Sequence, residues 1–350
     1  MDIGICTWVR ILPTKPQPLV DAYREFFELG ILAEELGYDE IWLSEHHFAE
    51  DAWNPSQFPL LAALAARTQR IRLGTFVLLL PLHNPIRVAE DAATLDIISN
   101  GRADLACGGA AMEVECRGFG VDGTDSFGRS YEALSVIEKC FKEEDFTHHG
   151  KYFNFEDVRM TTKPLQKPGI PIYMAALGPQ SLERAAKRGY NQCSAFHTPI
   201  WGKYGEMQRQ LGRPRDSYRI VSGPLFVHVA ESREKAWDES EEGIHWSMNF
   251  YPRRGPNRNY PTTGVPPAMP PVGQLRHKSE NTAYGLTPAV GTPDDVLRIM
   301  STYRDEDVDE LVPTFHFPGM NFEHVKRSMR LFAKEVMPEI RKWGRSAGKR

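Results

Sequence analysis

Short apolar runs alternate along the chain with longer stretches whose apolar residues recur at helical spacing. Eight runs read as strands, over 2–8, 40–44, 71–80, 103–108, 171–177, 191–196, 218–229 and 310–317. Amphipathic stretches between and after them predict helices over 18–37, 54–69, 84–99, 128–144, 180–189, 200–212, 232–248, 292–306 and 321–343. Local punctuation supports several of these bounds. Gly37 and the Asn100-Gly101 pair are helix stops, and Thr292 followed by Pro293 and two acids is a helix start. Strand and helix in strict alternation favour an α/β fold, a single (β/α)8 TIM barrel spanning 1–350, over an open doubly wound sheet. Two segments interrupt the alternation. Residues 145–160 alternate apolar and polar and read as a surface hairpin. Residues 249–291 are rich in Pro, Gly and Arg, far longer than a barrel loop needs, and are expected to form a lid near the C-terminal face.

In such a barrel the chemistry sits where strands end. The second predicted strand ends in Ser44-Glu45-His46-His47-Phe48, an acid and two imidazoles at one barrel position. Imidazole exchanges protons near neutral pH, so a histidine here is a candidate acid or base. Side chains alternate along a strand, so only one of the two histidines can face the barrel mouth. On its own, an adjacent pair of histidines is more often structural than catalytic. No HExxH, no HxH and no paired carboxylates at ligand spacing accompany it, so no metal site is expected.

The glycines Gly118, Gly120 and Gly123 form a GxGxxG, but no strand feeds them and they open no helix, so a dinucleotide site is rejected. Gly108 and Gly109, after the fourth strand, would let a flat ligand approach the backbone closely. Arg129 stands near one predicted helix start, and Gly178, Gln180 and Ser181 near another; together they suit a phosphate. The net charge of −4, from 42 basic and 46 acidic residues, has no basic stripe behind it, which argues against nucleic acid. The five cysteines are scattered with no CxxC, arguing against a disulfide framework. No apolar run approaches a membrane span and the first ten residues carry no signal-peptide pattern; a cytoplasmic protein is expected.

The stretches GYDEIWLSEHHFAE, IRLGTFVLLLPLHNPIRVAEDAATLDIISNGRADL, VGTPDDVLRIM and MRLFAKEVMPEIRK resemble, in order along nearly the whole chain, the bacterial luciferase-like flavin monooxygenases. The resemblance implies a barrel that takes reduced FMN from a separate flavin reductase and uses O2, through a flavin hydroperoxide, to oxidise a small organic substrate. A homodimer is the expected assembly. By the same resemblance His46 is the active-site histidine, in acid–base support of the oxygen chemistry, and Glu45 the acid beside it, with a more structural role. Phe76, Val77, Gly108, Gly109, Arg129, Ala176, Leu177, Gln180 and Ser181 would hold the cofactor, with a non-proline cis peptide or a bulge at Phe76–Val77. Two departures from luciferase itself, Gly108-Gly109 in place of a cysteine and an arginine, and Asn84 in place of a histidine, argue against light emission. A deazaflavin-dependent oxidoreductase of the same fold and a non-catalytic flavin-binding subunit are the alternatives.

Overall fold

A computed structural model describes residues 1–110, 112–194, 200–254, 270–277 and 287–343. Strands β1 (Asp2–Ile3) and β2 (Ile5–Thr7) are two halves of one stave, followed by β3 (Glu40–Leu43), β4 (Arg72–Leu79) and β5 (Ala103–Gly108). After a hairpin, β6 (Phe146–His149) and β7 (Asn154–Val158), come β8 (Ile172–Met174), β9 (Asn191–Ser194), β10 (Ile220–Val229), β11 (Ala289–Gly291) and β12 (Glu310–Thr314). All pairs but the antiparallel hairpin are parallel, and the ring runs β2-β3-β4-β5-β8-β9-β10-β12-β1. Because β1 and β2 belong to one stave, pairing β12 with β1 and β3 with β2 closes eight staves into the expected barrel. Strand β11 was not predicted from sequence; its three residues extend the sheet only beside the far end of β10.

Apart from the short helices at Glu113–Gly118 and Phe250–Arg254, the helices fall where the apolar spacing places them. They are α1 (Leu19–Glu35), α2 (Gln57–Ala65), α3 (Pro85–Ile98), α4 (Glu113–Gly118), α5 (Ser126–Lys142), α6 (Pro179–Arg188), α7 (Ile200–Gln210), α8 (Arg233–Met248), α9 (Phe250–Arg254), α10 (Pro293–Met300), α11 (Phe322–Leu331) and α12 (Met337–Arg341). Asn84 caps α3 by accepting the Ile86 and Arg87 N–H groups, with Pro85 in the first turn. Thr292 and Asp295 close a capping box on α10. No described helix is long and apolar enough to cross a membrane. Most of the expected 249–291 lid lies outside the described residues. Its first part holds the short helix α9, its last part is strand β11, and between them Leu275 is buried in the inner apolar layer.

Alternation along the staves separates two apolar layers. Ile41, Leu43, Leu73, Leu105 and Leu311 face outward under the helices. Trp42, Phe76, Ala106, Tyr173 and Val312 face inward and fill the barrel. At the N-terminal end of the barrel the filling is charged. Glu310 accepts the Trp42 indole N–H at 2.8 Å and an Arg219 bond at 3.1 Å, and Asp104 accepts Arg72 Nε at 2.5 Å. Burial pushes Asp104 up to about 6 and Glu310 up to about 7. Glu40 is raised well above its usual value by burial and by its Asp104 and Glu310 neighbours. Raised acids keep their proton in the folded state and lose it in the unfolded one. Their stabilising contribution is therefore complete below the ordinary carboxylate range and is lost as pH rises through the folded values. A Glu40→Gln variant, which is neutral at every pH, is expected to melt close to wild type at pH 5. At pH 8 it should melt higher, so that the gap opens with pH. Parallel melting curves across that range would show that the Glu40 pKa is not raised in the folded barrel.

Candidate active site

The loop that follows β3 is held from several sides. Asn54 donates to the Ser44 carbonyl and accepts the Val9 N–H, each at 2.8 Å, and Gln57 donates to the Leu43 carbonyl. Asp51 accepts Arg10 Nε at 2.9 Å, Arg10 Nη2 at 2.6 Å and the Trp246 indole at 2.9 Å. These bonds hold Phe48 and Ala52 at φ values of 54° and 55°, a conformation that non-glycine residues adopt only where the surroundings impose it.

Continuing the β3 alternation, Ser44 and His46 turn to the barrel mouth while Glu45 and His47 turn outward to the helices. His46 Nδ1 lies 2.9 Å from Glu115 Oε1, and its Nε2 lies 3.3 Å from the Tyr251 hydroxyl. The ring is walled by Trp53, Phe250 and Tyr251 at centroid distances of 4.6, 4.5 and 5.6 Å. Trp8, Phe226 and Phe317 extend that aromatic wall, with Trp8 5.2 Å from Trp53 and Phe226 5.0 Å from Phe317. Glu115 is buried, which alone would raise its pKa. The His46 ring, the His47 N–H and Arg254 reverse this and hold it below the usual range. An ionised Glu115 fixes the proton of a neutral His46 on Nδ1. Nε2 is then left as the group that exchanges a proton with whatever stands at the mouth.

Glu45 therefore does not stand beside His46 at the mouth, where the expectation from sequence placed it. Its carboxylate lies on the opposite side of the strand end, 2.7 Å from both His47 Nε2 and His83 Nε2, and it accepts the Leu79 N–H at 2.8 Å. The acid partner of His46 comes instead from α4, a six-residue helix that sequence reasoning passed over as loop. Its apolar spacing is too short to register, and Glu115 carries no motif.

The expected cofactor residues lie on two neighbouring parts of the mouth. The Phe76–Val77 peptide is cis, and the pairing of β4 with β5 shifts register between Thr75 and Leu78. Phe76 and Val77 both face inward there. Gly108 lies against them, and a Cβ on it would meet Val77 Cγ2 at 2.7 Å, so only glycine leaves this wall flat. Gly109 abuts Ser126 and Phe127 of α5 in the same way. Ala176 packs into the outer core and Ala175 takes the inward position; Leu177 follows, half-buried. The second part pairs two helix starts. The Tyr131 hydroxyl of α5 donates to the Ser181 carbonyl of α6 at 2.6 Å and joins the first turns of the two helices. Arg129 Nε is bonded to the Pro81 carbonyl at 3.0 Å and its guanidinium lies 4.5 Å from the Phe153 ring. The expected lid carries Arg253, Arg254 and Arg258, and the first two are committed to protein groups. Arg253 stacks on Trp246 and bonds Glu50, while Arg254 donates to the His47 and Phe48 carbonyls at 2.6 and 2.8 Å. Arg258 lies outside the described residues.

An inward imidazole beside an ionised carboxylate and a flat glycine-bearing wall meet at the barrel mouth. The luciferase-like monooxygenase family model matches residues 1–310, and the chain belongs to that family. It is 29% identical over 328 residues to the oxygenase component of the flavin-dependent trigonelline monooxygenase of Acinetobacter baylyi, covering 90% of this chain and 89% of that one. An F420-dependent glucose-6-phosphate dehydrogenase of Microbacterium testaceum is 25% identical over 338 residues, covering 91% and 94%. The crystal structure of monooxygenase RslO1 from Streptomyces bottropensis superposes with a TM-score of 0.80 at 25% identity, over 97% of this chain and 99% of that one. Flavin-dependent monooxygenases and deazaflavin-dependent dehydrogenases are thus both among the relatives.

The residues present fit a flavin. Thr314 Oγ1 and the Trp8 indole N–H, on inward positions of the mouth, are buried without a hydrogen-bond partner among the described residues. Buried polar atoms of this kind are costly unless a ligand satisfies them.

Proposed function

We propose that this chain is the oxygenase component of a two-component FMN-dependent monooxygenase, fed with reduced FMN by a separate flavin reductase and working as a homodimer. The observation that carries the reading is His46, held between Glu115 and Tyr251 inside a wall of aromatic rings. Bound reduced FMN supplies the electrons that activate O2; the protein supplies the rest. Phe76, Val77 and Gly108 would face the ring system, and Arg129 with the Gln180–Ser181 turn would take the phosphate. His46 Nε2 holds or delivers the proton that the oxygen chemistry requires, and Glu115 steadies the charge that His46 then carries. The aromatic wall excludes water, which would otherwise divert the oxidising power. It also suits a small, largely apolar organic substrate.

The dehydrogenase relative supports a second reading, hydride transfer through a deazaflavin without oxygen. A non-catalytic flavin-binding subunit would need no His46–Glu115 pair. The readings separate in an anaerobic titration with reduced FMN and with reduced deazaflavin, followed by exposure to labelled O2. Tight reduced-FMN binding and transfer of one labelled oxygen atom to the product are expected. An Arg129→Ala variant should bind reduced FMN roughly 10–100-fold more weakly, the cost of losing charge-assisted bonds worth about 1.5–3 kcal/mol. Binding of the deazaflavin alone, with substrate oxidised and no oxygen consumed, would overturn the monooxygenase reading.

A further inference from the structure

Glu45, His47 and His83 form a cluster that the flavin chemistry does not use. One carboxylate oxygen and two imidazole nitrogens lie within 4.8 Å of one another. Two parts of the chain meet there. Glu45 and His47 leave the end of β3 on its helix-facing side, and His83 comes from the turn between β4 and α3, 38 positions from Glu45. That distance is why motif spacing could not show the cluster. Glu45 Oε1 stands 2.7 Å from each Nε2, while its other oxygen is fixed by the Leu79 N–H. Outer bonds of this kind orient a metal ligand. The His47 ring is further held 4.6 Å from the Phe119 ring.

We propose that this cluster binds one divalent transition-metal ion, with zinc the ion the donors suit. The ligands are His47 Nε2, His83 Nε2 and Glu45 Oε1, with water in the fourth position. Two imidazoles and one carboxylate are a borderline donor set that favours zinc and its neighbours over magnesium or calcium. Tetrahedral zinc with bonds of about 2.0–2.2 Å places neighbouring ligand atoms roughly 3.3 Å apart. The two short contacts must therefore open by about 0.6 Å. His83, whose side chain is 28% exposed on a turn, is the one with room to move. An entry path exists. A cavity of about 310 Å³ between α2 and α3 is lined by Glu45, His83, Asn84, Arg87 and Asp91. A hydrated ion can reach the cluster through it, and water can fill the open position. Asp91 on the cavity wall is paired with Arg87 at 2.9 Å, so the pull on a cation comes from Glu45 itself. Each Nε2 donates its proton to the Glu45 carboxylate, so the ion displaces that proton, which passes through water to a bare Nδ1 or is released to solvent from an imidazolium; each ring ends neutral with its proton on Nδ1, and nothing is oxidised or reduced. The ion shares no ligand with His46 and would clip the end of β3 to the β4–α3 turn.

The test uses full-length protein stripped with a chelator and then titrated with Zn2+ against a chromophoric competitor, and separately with Co2+. One ion per chain is expected, together with the visible absorption of cobalt in a tetrahedral site and a raised melting temperature. His83→Ala should weaken binding by more than the roughly 10–100-fold that an outer-shell change costs, and should abolish the cobalt bands. His47→Gln should do the same, and circular dichroism melts establish that each variant folds. His148→Ala, on the hairpin, should bind as wild type. Absence of stoichiometric binding to the wild-type chain, or equal binding by a folded His83→Ala variant, would overturn the proposal.

Discussion

Replacing His46 with alanine is expected to lower turnover by roughly 100- to 10,000-fold, the usual worth of one positioned acid–base group. Reduced-flavin binding should stay close to wild type, because the walls that would hold the rings and phosphate come from β4, β5, α5 and α6. Glu115→Gln is the finer probe. A neutral amide in place of the carboxylate no longer fixes the Nδ1 proton or balances the imidazolium, so the activity should fall by less than in His46→Ala and its pH profile should shift. Rapid-mixing kinetics with pre-reduced flavin separate these effects from binding. Turnover in His46→Ala within a factor of about three of wild type would remove His46 from the chemistry.

The second large effect concerns stability. Arg10 and Asp51 form a buried ion pair, with side chains 1% exposed on both sides. Arg10 also lies 4.0 Å over the Trp53 ring and bonds Ser247. Removing one member of such a pair leaves the other charge buried and uncompensated, which costs about 3–5 kcal/mol. Asp51→Ala should lower the unfolding free energy by that amount, read as a lower urea midpoint at an unchanged slope. It should also slow turnover, because Asp51 ties Trp246 of α8 and Arg10 to the loop that carries His46. Burial alone would raise the Asp51 pKa, but Arg10 and the Trp246 bond keep it below the usual range. The pair therefore persists throughout the neutral range. A loss of less than about 1 kcal/mol would mean that the guanidinium finds water when its partner is gone.

The barrel was legible because each stave carries its own apolar run, and because a parallel barrel needs nothing beyond that alternation. The weak places are equally physical. Strand β11 has three residues and owes its form to β10 beside it. Helix α4 has six and owes its form to Met112 and the β5 end. Neither is long enough to show a period. His46 was legible as a chemical group at a strand end, and alternation correctly split it from His47. Its partner was not, since Glu115 reaches it across 69 positions of chain. Glu45 was misplaced for a simpler reason: adjacency in sequence at a strand end means opposite faces, a rule that applies to Glu45 as much as to His47.

The anchoring of α9 gives the enzyme a built-in reporter. Arg253 and Arg254 are adjacent basic residues of the kind trypsin cuts after, yet both guanidinium groups are occupied and the backbone there is helical. A protease needs several residues in extended form, so cleavage after Arg253 is expected to be slow for as long as Phe250 and Tyr251 remain seated on His46. The rate of nicking at the dibasic pair thus measures how often the active site is uncovered, in unlabelled protein and without any substrate.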